Sequence, residues 1–555
     1  MKRLSAAVRA CASRRRGAWV LALSLVIGVA RVAAAGPVED AIQARTERLT
    51  SGGSLSIAGN SVGSRGLIPL AYERRGFRPA WDVRKLDELL GAIDDVARDG
   101  LSPDDYHRAD LRRMRLQMDT DAGQSADAAA DRDILATDAL IGLAYHLYFG
   151  KVDPARLDSK WNFGRTLDRQ EAVDVFLRVL DTGQIASWLE HLRPRHSYYG
   201  YLKRELARYR SFATRGGWHA IPAGPTLTPG MRDTRVPSIR KRLEVSGDLP
   251  PSRLVDTSLV YDPKLAAAVR DFQRHQLLGD DGSIGAGTLA VMNVPVEARI
   301  DQIRVNLERA RWVLHDLPDS FVVVNVAAFR VYLVVKGEAV WSNRCQVGKE
   351  ARQTPIFRDN MRHLVFNPTW TVPPGILAKD VLPSLRRGDL SVLKRKKLKV
   401  IDRNGRIVNP GSVAWSKVSA GAYTFRQDAG PDNALGRVKF MFPNPYSVYL
   451  HDTPSRDLFE EPSRAFSSGC IRVDKPLELA ERVLADPKWN AAAIQRTVDA
   501  GKTVTVTLKH PLPVLLLYWT AFPWGHGGEV AFAKDIYGRD ARILKALGEA
   551  EGTEG

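Results

Sequence analysis

Apolar residues at helical spacing open the reading: Leu86, Leu89, Leu90, Ile93 and Val96 form one stripe, which Gly100 ends. A second apolar run covers Ile134 to Tyr148 and stops at Gly150, and a third covers Ala172 to Leu180 and stops near Gly183. Ala71 to about Leu206 therefore reads as mainly helical, within a scaffold unit expected at 36–215. Gly216 to Pro229 is rich in Gly and Pro and reads as a linker. A small helical unit follows at 230–295. Ile239, Leu243 and Val245 begin it, Pro250-Pro251 breaks it, and Leu265, Val269 and Phe272 form a further helical face. A helix from Ile300 to Leu314 then gives way to strand-like runs. Phe321–Ala327, Phe329–Val335 and Ala339–Ser342 come first, with a Lys336-Gly337 turn between the last two. Ser447–His451 and Thr503–Leu508 have the same character, and Val514–Trp519 reads as the final strand. The unit at 318–545 is thus mostly β, interrupted by a long insertion at 373–424. The fold class is multidomain α+β.

Composition agrees with several folded units: 44% apolar and 26% charged residues over 555 positions exceed one core but not globular norms. The net charge of +18 has two parts. Residues 1–35 carry seven basic side chains and no acid, then an apolar run from Gly17 to Ala30 and Ala33-Ala34-Ala35. That is the build of a cleaved signal peptide, which implies export to the periplasm, or an inner-membrane anchor if it is uncleaved. The remaining +11 suits an anionic wall polymer or lipid headgroups, and export disfavours nucleic acid as a partner. In the insertion, Lys394-Arg395-Lys396-Lys397 and Lys399 read either as a solvated face or as the contact of a lid with an anionic polymer.

Only Cys345 and Cys470 remain after the signal, too few for a disulfide scaffold. Either they pair, or at least one is a free thiol. Cys470 follows Ser467-Ser468-Gly469, and His451 precedes it by nineteen residues, across a loop marked by Pro454 and Pro462. A base near a thiol makes it a nucleophile. Gly469 permits a turn that aims its own amide and that of Cys470 at one developing oxyanion. Arg472 lies two residues on, placed to favour a thiolate or hold a carboxylate. Cys345, between Arg344 and Gln346 on an expected strand, reads as a buried thiol. No histidine pair among His363, His510 and His526 has the spacing of a helix-borne metal site, so no metal and no cofactor is expected.

These residues resemble a known family. Ser467-Ser468-Gly469-Cys470-Ile471-Arg472 behind a strand-borne His451 is similar to the signature of L,D-transpeptidase catalytic domains. Asn367 to Pro374 and Asn433-Ala434-Leu435-Gly436-Arg437 before Lys439-Phe440 agree with it. Asp99-Gly100-Leu101 with Tyr106, and Gly150 to Pro154 with Trp161, resemble the scaffold domain of its large Gram-negative members. Val269 to Gln273, Asp281-Gly282 and Gly285-x-x-Thr288-Leu289 resemble peptidoglycan-binding-domain-1, a three-helix module. The resemblance implies Cys470 as nucleophile, His451 as base and the Asp452 carbonyl as the group orienting it. Gly469, Ser468, Arg472, Tyr449 and Trp370 would form the oxyanion and substrate site. It implies peptidoglycan stem peptides as substrates: a tetrapeptide donor loses D-Ala, and the acyl group passes to a diaminopimelate amine. Other wall synthases and a carboxypeptidase supplying tetrapeptides are its expected partners. Two rivals share the residues: an L,D-carboxypeptidase or cross-link-cleaving amidase, and a non-catalytic wall-anchoring protein.

Overall fold

The computed structural model describes residues 36–164, 166–252, 256–419, 421–524 and 529–549; the expected signal at 1–35 and His526 lie outside them. In the first unit, Asp82 caps the helix Val83–Asp95 by accepting from the Lys85 amide. Leu86, Leu89, Leu90 and Ile93 turn inward from it. A 3₁₀ turn, Val96–Asp99, carries the chain to Gly100 at φ 78°. A Cβ there would come within 3.3 Å of Arg304 and Leu307, so the bare glycine lets this turn close on a later helix. That later helix, Val296–Val313, joins the helical unit to the sheet.

The joint is polar and closed. Arg311 and Glu308, both with fully buried side chains, form an ion pair at 2.5 Å. Arg311 also donates to the Asp99 carbonyl and the Tyr199 hydroxyl, each at 2.9 Å. Asp99 in turn binds Arg193 at 2.8 Å and Lys203 at 3.2 Å. Glu308 accepts from the Val152 amide at 2.8 Å, so both stretches that flank the scaffold motif meet on one helix.

Helices Val236–Ser246, Pro263–His275 and Ala286–Met292 build the small unit around Ile239, Leu243, Leu265, Val269 and Phe272. The expected linker departs from its reading here. Ile221 and Leu227 are buried in this core, and Trp218 lies under Arg242 and donates to the Val294 carbonyl. Two apolar residues and one indole outweigh the Gly/Pro content.

The third unit centres on a nine-stranded sheet, numbered here in chain order: β1 Phe321–Asn325, β2 Arg330–Val335, β3 Glu338–Gly348, β4 Phe357–Phe366, β5 Val438–Met441, β6 Leu450–His451, β7 Ala465–Ser467, β8 Ile471–Val473 and β9 Val504–Leu517. Their order is β7-β3-β8-β6-β5-β4-β9-β1-β2, and β2 also pairs with β3, closing the sheet on itself. The two expected strands at 503–508 and 514–519 are one strand, β9, which lies centrally between β4 and β1 rather than last. A register shift between Thr507 and Leu512 accommodates Pro511 and Pro513 within it. A hairpin, Ala521–Trp524 with Glu529–Phe532, follows β9. The expected strand at 447–451 shrinks to Leu450–His451, since Ser447 is left-handed at φ 54°.

The insertion has its own core, built on Val381, Leu382, Leu385, Val400, Trp415 and Phe425. Short strands Trp370–Thr371, Thr424–Gln427 and Lys399–Ile401 form its three-stranded sheet, so its stem begins at Trp370. In its basic run, Lys397 pairs with Asp432, Lys399 with Asp428 and Arg395 with Asp389.

Candidate active site

Strand register assembles the site. Parallel pairing of β6 with β8 sets His451 beside Arg472, and antiparallel pairing of β5 with β6 sets Lys439 beside His451. Arg472 stands opposite Gln346 of β3. Residues paired across strands share a face, so Lys439, His451, Arg472 and Gln346 form one row over four adjacent strands. Cys470 comes immediately before β8, alongside Tyr449: the next amide, of Ile471, donates to the Tyr449 carbonyl.

The loop holding Cys470 is tightly specified. Ser467 Oγ donates to the Cys470 carbonyl at 2.6 Å and accepts from the Gly469 amide at 3.0 Å. Thr354 Oγ1 donates to the Gly469 carbonyl at 2.9 Å. Gly469 sits at φ 119°, where a side chain would be strained. This corrects the expected pair of oxyanion donors: the Gly469 amide is spent on Ser467. The Cys470 amide has no hydrogen-bond partner among the described residues. Ser468 Oγ accepts from Arg352 at 2.8 Å, and Arg352 forms a two-bond pair with Asp380 of the insertion, at 2.7 and 2.6 Å. The insertion is therefore fastened to the cysteine loop.

His451 is buried, and its Nδ1 lies 2.5 Å from the Asp452 carbonyl oxygen. A carbonyl only accepts, so Nδ1 carries the hydrogen and Nε2 of the neutral ring keeps a lone pair. The Asp452 carboxylate is engaged elsewhere, with the Arg437 amide at 2.8 Å and Arg456 at 2.9 Å, and takes no part in orienting the ring. Burial pushes His451 down to about 3, helped by the charges of Arg472 and Lys439 and opposed by the Asp452 bond. The ring is neutral at physiological pH. Burial raises the Cys470 thiol, against opposing contributions from Tyr449, Lys439 and Arg472. The half-buried Sγ donates to the Ser447 carbonyl at 3.7 Å. Asn444 shapes that loop by bonding the Phe442 and Val448 carbonyls and the Tyr446 and Val448 amides. Tyr449 interacts through its hydroxyl with Cys470 and with Trp370 at the stem of the insertion, and burial raises its pKa.

Cys345 is fully buried on β3, opposite Val473 of β8. Both cysteines are free, and burial pushes the Cys345 thiol up to about 12, which makes it inert beside Cys470. Every residue anticipated for the site thus converges on the row or its rim. Lys439 had been noted only as part of a motif. It reads in sequence as a lone lysine inside an apolar strand, which was its one signal. Ser447, Thr354 and Arg352 carry no sequence signal, because loops place them.

Three stretches of the chain match models of known families. Residues 319–506 match a family model described as L,D-transpeptidase catalytic domain, and residues 67–206 one described as Scaffold domain. Residues 232–292 match "Putative peptidoglycan binding domain". The chain therefore carries an L,D-transpeptidase catalytic domain joined to a scaffold domain and a peptidoglycan-binding domain. It is 33% identical over 249 residues to the "Putative L,D-transpeptidase" of Haemophilus influenzae, covering 44% of this chain and 50% of that protein. It thus spans about half the length of the curated relative it matches. A solved L,D-transpeptidase from Xylanimonas cellulosilytica is 13% identical, covering 53% of this chain and 99% of that one, with TM-score 0.17. One from Stackebrandtia nassauensis is 12% identical, with coverages of 53% and 97% and TM-score 0.21.

Proposed function

We propose that this protein is an L,D-transpeptidase acting through a Cys470 acyl-enzyme on peptidoglycan stem peptides. The carrying observation is a neutral, oriented His451 in the strand beside an accessible thiol, with a cation on each side. As the Cys470 sulfur bonds to the carbonyl carbon between donor residues three and four, its proton passes to His451 Nε2. The free Cys470 amide receives the oxyanion. The C–N bond then breaks, the proton goes to the departing D-Ala amine, and a thioester remains. A diaminopimelate amine attacks the thioester, yields its proton to His451, and an amide replaces the C–S bond. The thiol is regenerated, and the cross-link joins third residues.

The unit limits at 36–215 and 318–545 belong to the same reading, with the small unit's 230–295 extended back to Trp218 by the packing described above, as does periplasmic placement after removal of residues 1–35. Among the described residues no helix is long and apolar enough to cross a membrane. The insertion at 373–424 acts as a lid held shut by Arg352–Asp380. A carbapenem is expected to acylate Cys470, giving an intact-mass adduct that maps to the Cys470 peptide and is absent in Cys470→Ala. Asp380→Ala is expected to form it several-fold faster. An adduct surviving Cys470→Ala defeats the nucleophile assignment, and equal rates defeat the lid.

A further inference from the structure

Three observations single out Lys439. First, it stands at one end of the row Lys439–His451–Arg472, on the flank of the histidine opposite the arginine. Second, its ammonium lies 3.8 Å from the centroid of the Tyr449 ring, well inside cation–π range. That ring belongs to the tyrosine whose hydroxyl interacts with Cys470. Third, Lys439 is half-buried and has no carboxylate within ion-pair distance among the described residues. Ammonium groups withdrawn from water are ordinarily paired. Here a cation is partly desolvated beside a nucleophile with no resident counter-ion.

We propose that Lys439 is a positioning residue for the nucleophile: held on the Tyr449 ring, it supplies the fixed positive charge against which the Cys470 thiolate forms. This rests on Cys470 being the nucleophile of the proposed function. The usual counter-ion for a catalytic thiolate is the imidazolium of its own base. Two cations on either side of His451 disfavour that imidazolium, so the negative charge on sulfur is balanced by the row instead. Arg472 is the second cation of the row, its Nη1 donating to Gln346 at 3.1 Å, and it stays in place in the Lys439 variants. The ionisation releases one proton, to solvent in the resting enzyme and to His451 Nε2 during attack. The charged and titratable groups facing Cys470 are Lys439 from β5, Tyr449 just before β6, His451 from β6 and Arg472 from β8. Beyond Ser468, Arg352 is neutralised by Asp380.

The test is the pH dependence of Cys470 alkylation by iodoacetamide in the full chain. Peptide mass mapping separates Cys470 from Cys345. A neighbouring opposite charge moves a titration by about one unit or more. Lys439→Met is therefore expected to shift the alkylation profile upward by about one unit, slowing the reaction about tenfold at a fixed pH below the thiol pKa. Lys439→Arg is expected to restore most of it. Lys439→Gln replaces the methionine variant if that protein fails to keep the wild-type unfolding midpoint. A profile superposable on wild type in a folded, uncharged variant overturns the proposal. Turnover of a disaccharide-tetrapeptide by wild type, run alongside, keeps the two claims apart. Its absence would overturn the function while leaving the alkylation shift to decide Lys439.

Discussion

Glu308→Ala is expected to cost about 3–5 kcal/mol, the range for removing one partner of a buried ion pair. The side chains of Glu308 and Arg311 are wholly inaccessible, so the substitution leaves a buried guanidinium hydrogen-bonded to the Asp99 carbonyl and the Tyr199 hydroxyl, with the Asp99 carboxylate, already paired with Arg193 and Lys203, as its remaining opposite charge. It also removes the carboxylate that accepts from the Val152 amide and the Trp312 indole N–H. Total stabilities of folded domains are about 5–15 kcal/mol, so the loss is a large share. Because the pair sits where the helical unit meets the helix leading into the sheet, both units are expected to unfold at lower urea. Urea titration followed by tryptophan fluorescence measures it. A midpoint within the scatter of wild type would mean that the joint is not closed as described.

His451→Gln is expected to lower kcat by about 10²–10⁴-fold, the usual contribution of a positioned general base, with the fold retained. The pH profile carries a second signature. With its pKa pushed down to about 3, His451 stays neutral and able to accept a proton at every pH above that value. The thiol is raised, so it is protonated below its pKa and reactivity grows as pH climbs through it. Wild-type kcat/KM is therefore expected to rise steadily from pH 6 past pH 8. An acid limb near pH 6–7 in wild type, absent from His451→Gln, would instead indicate a resting imidazolium–thiolate pair.

Helical periodicity made the scaffold legible because its apolar stripes end at glycines that stop helices, as at Gly100 and Gly183. The sheet was legible as strands but not as an order. Pairing β6 with β8 joins segments twenty residues apart in parallel, and nothing in local alternation specifies that partner. Two apolar runs were read where β9 is one strand, because the register shift between Thr507 and Leu512 interrupts its pattern. Gly and Pro content likewise hid the burial of Ile221 and Leu227. At the site, Cys470 and His451 were visible as chemistry-bearing types in one motif. The use of the Gly469 amide by Ser467 was not visible, since a side-chain hydroxyl competing for a backbone donor leaves no trace in spacing. The fastening of Ser468 to the insertion through Arg352 and Asp380 depends on tertiary contact alone.

The most direct measurement incubates the purified mature protein with disaccharide-tetrapeptide and reads the products by mass spectrometry, with Cys470→Ala in parallel. The account predicts a cross-linked dimer that has lost one D-Ala, formed by wild type and absent from the variant. Tripeptide monomer as the sole product would contradict transpeptidation and establish a carboxypeptidase, and a dimer formed equally by Cys470→Ala would contradict the thiol mechanism itself.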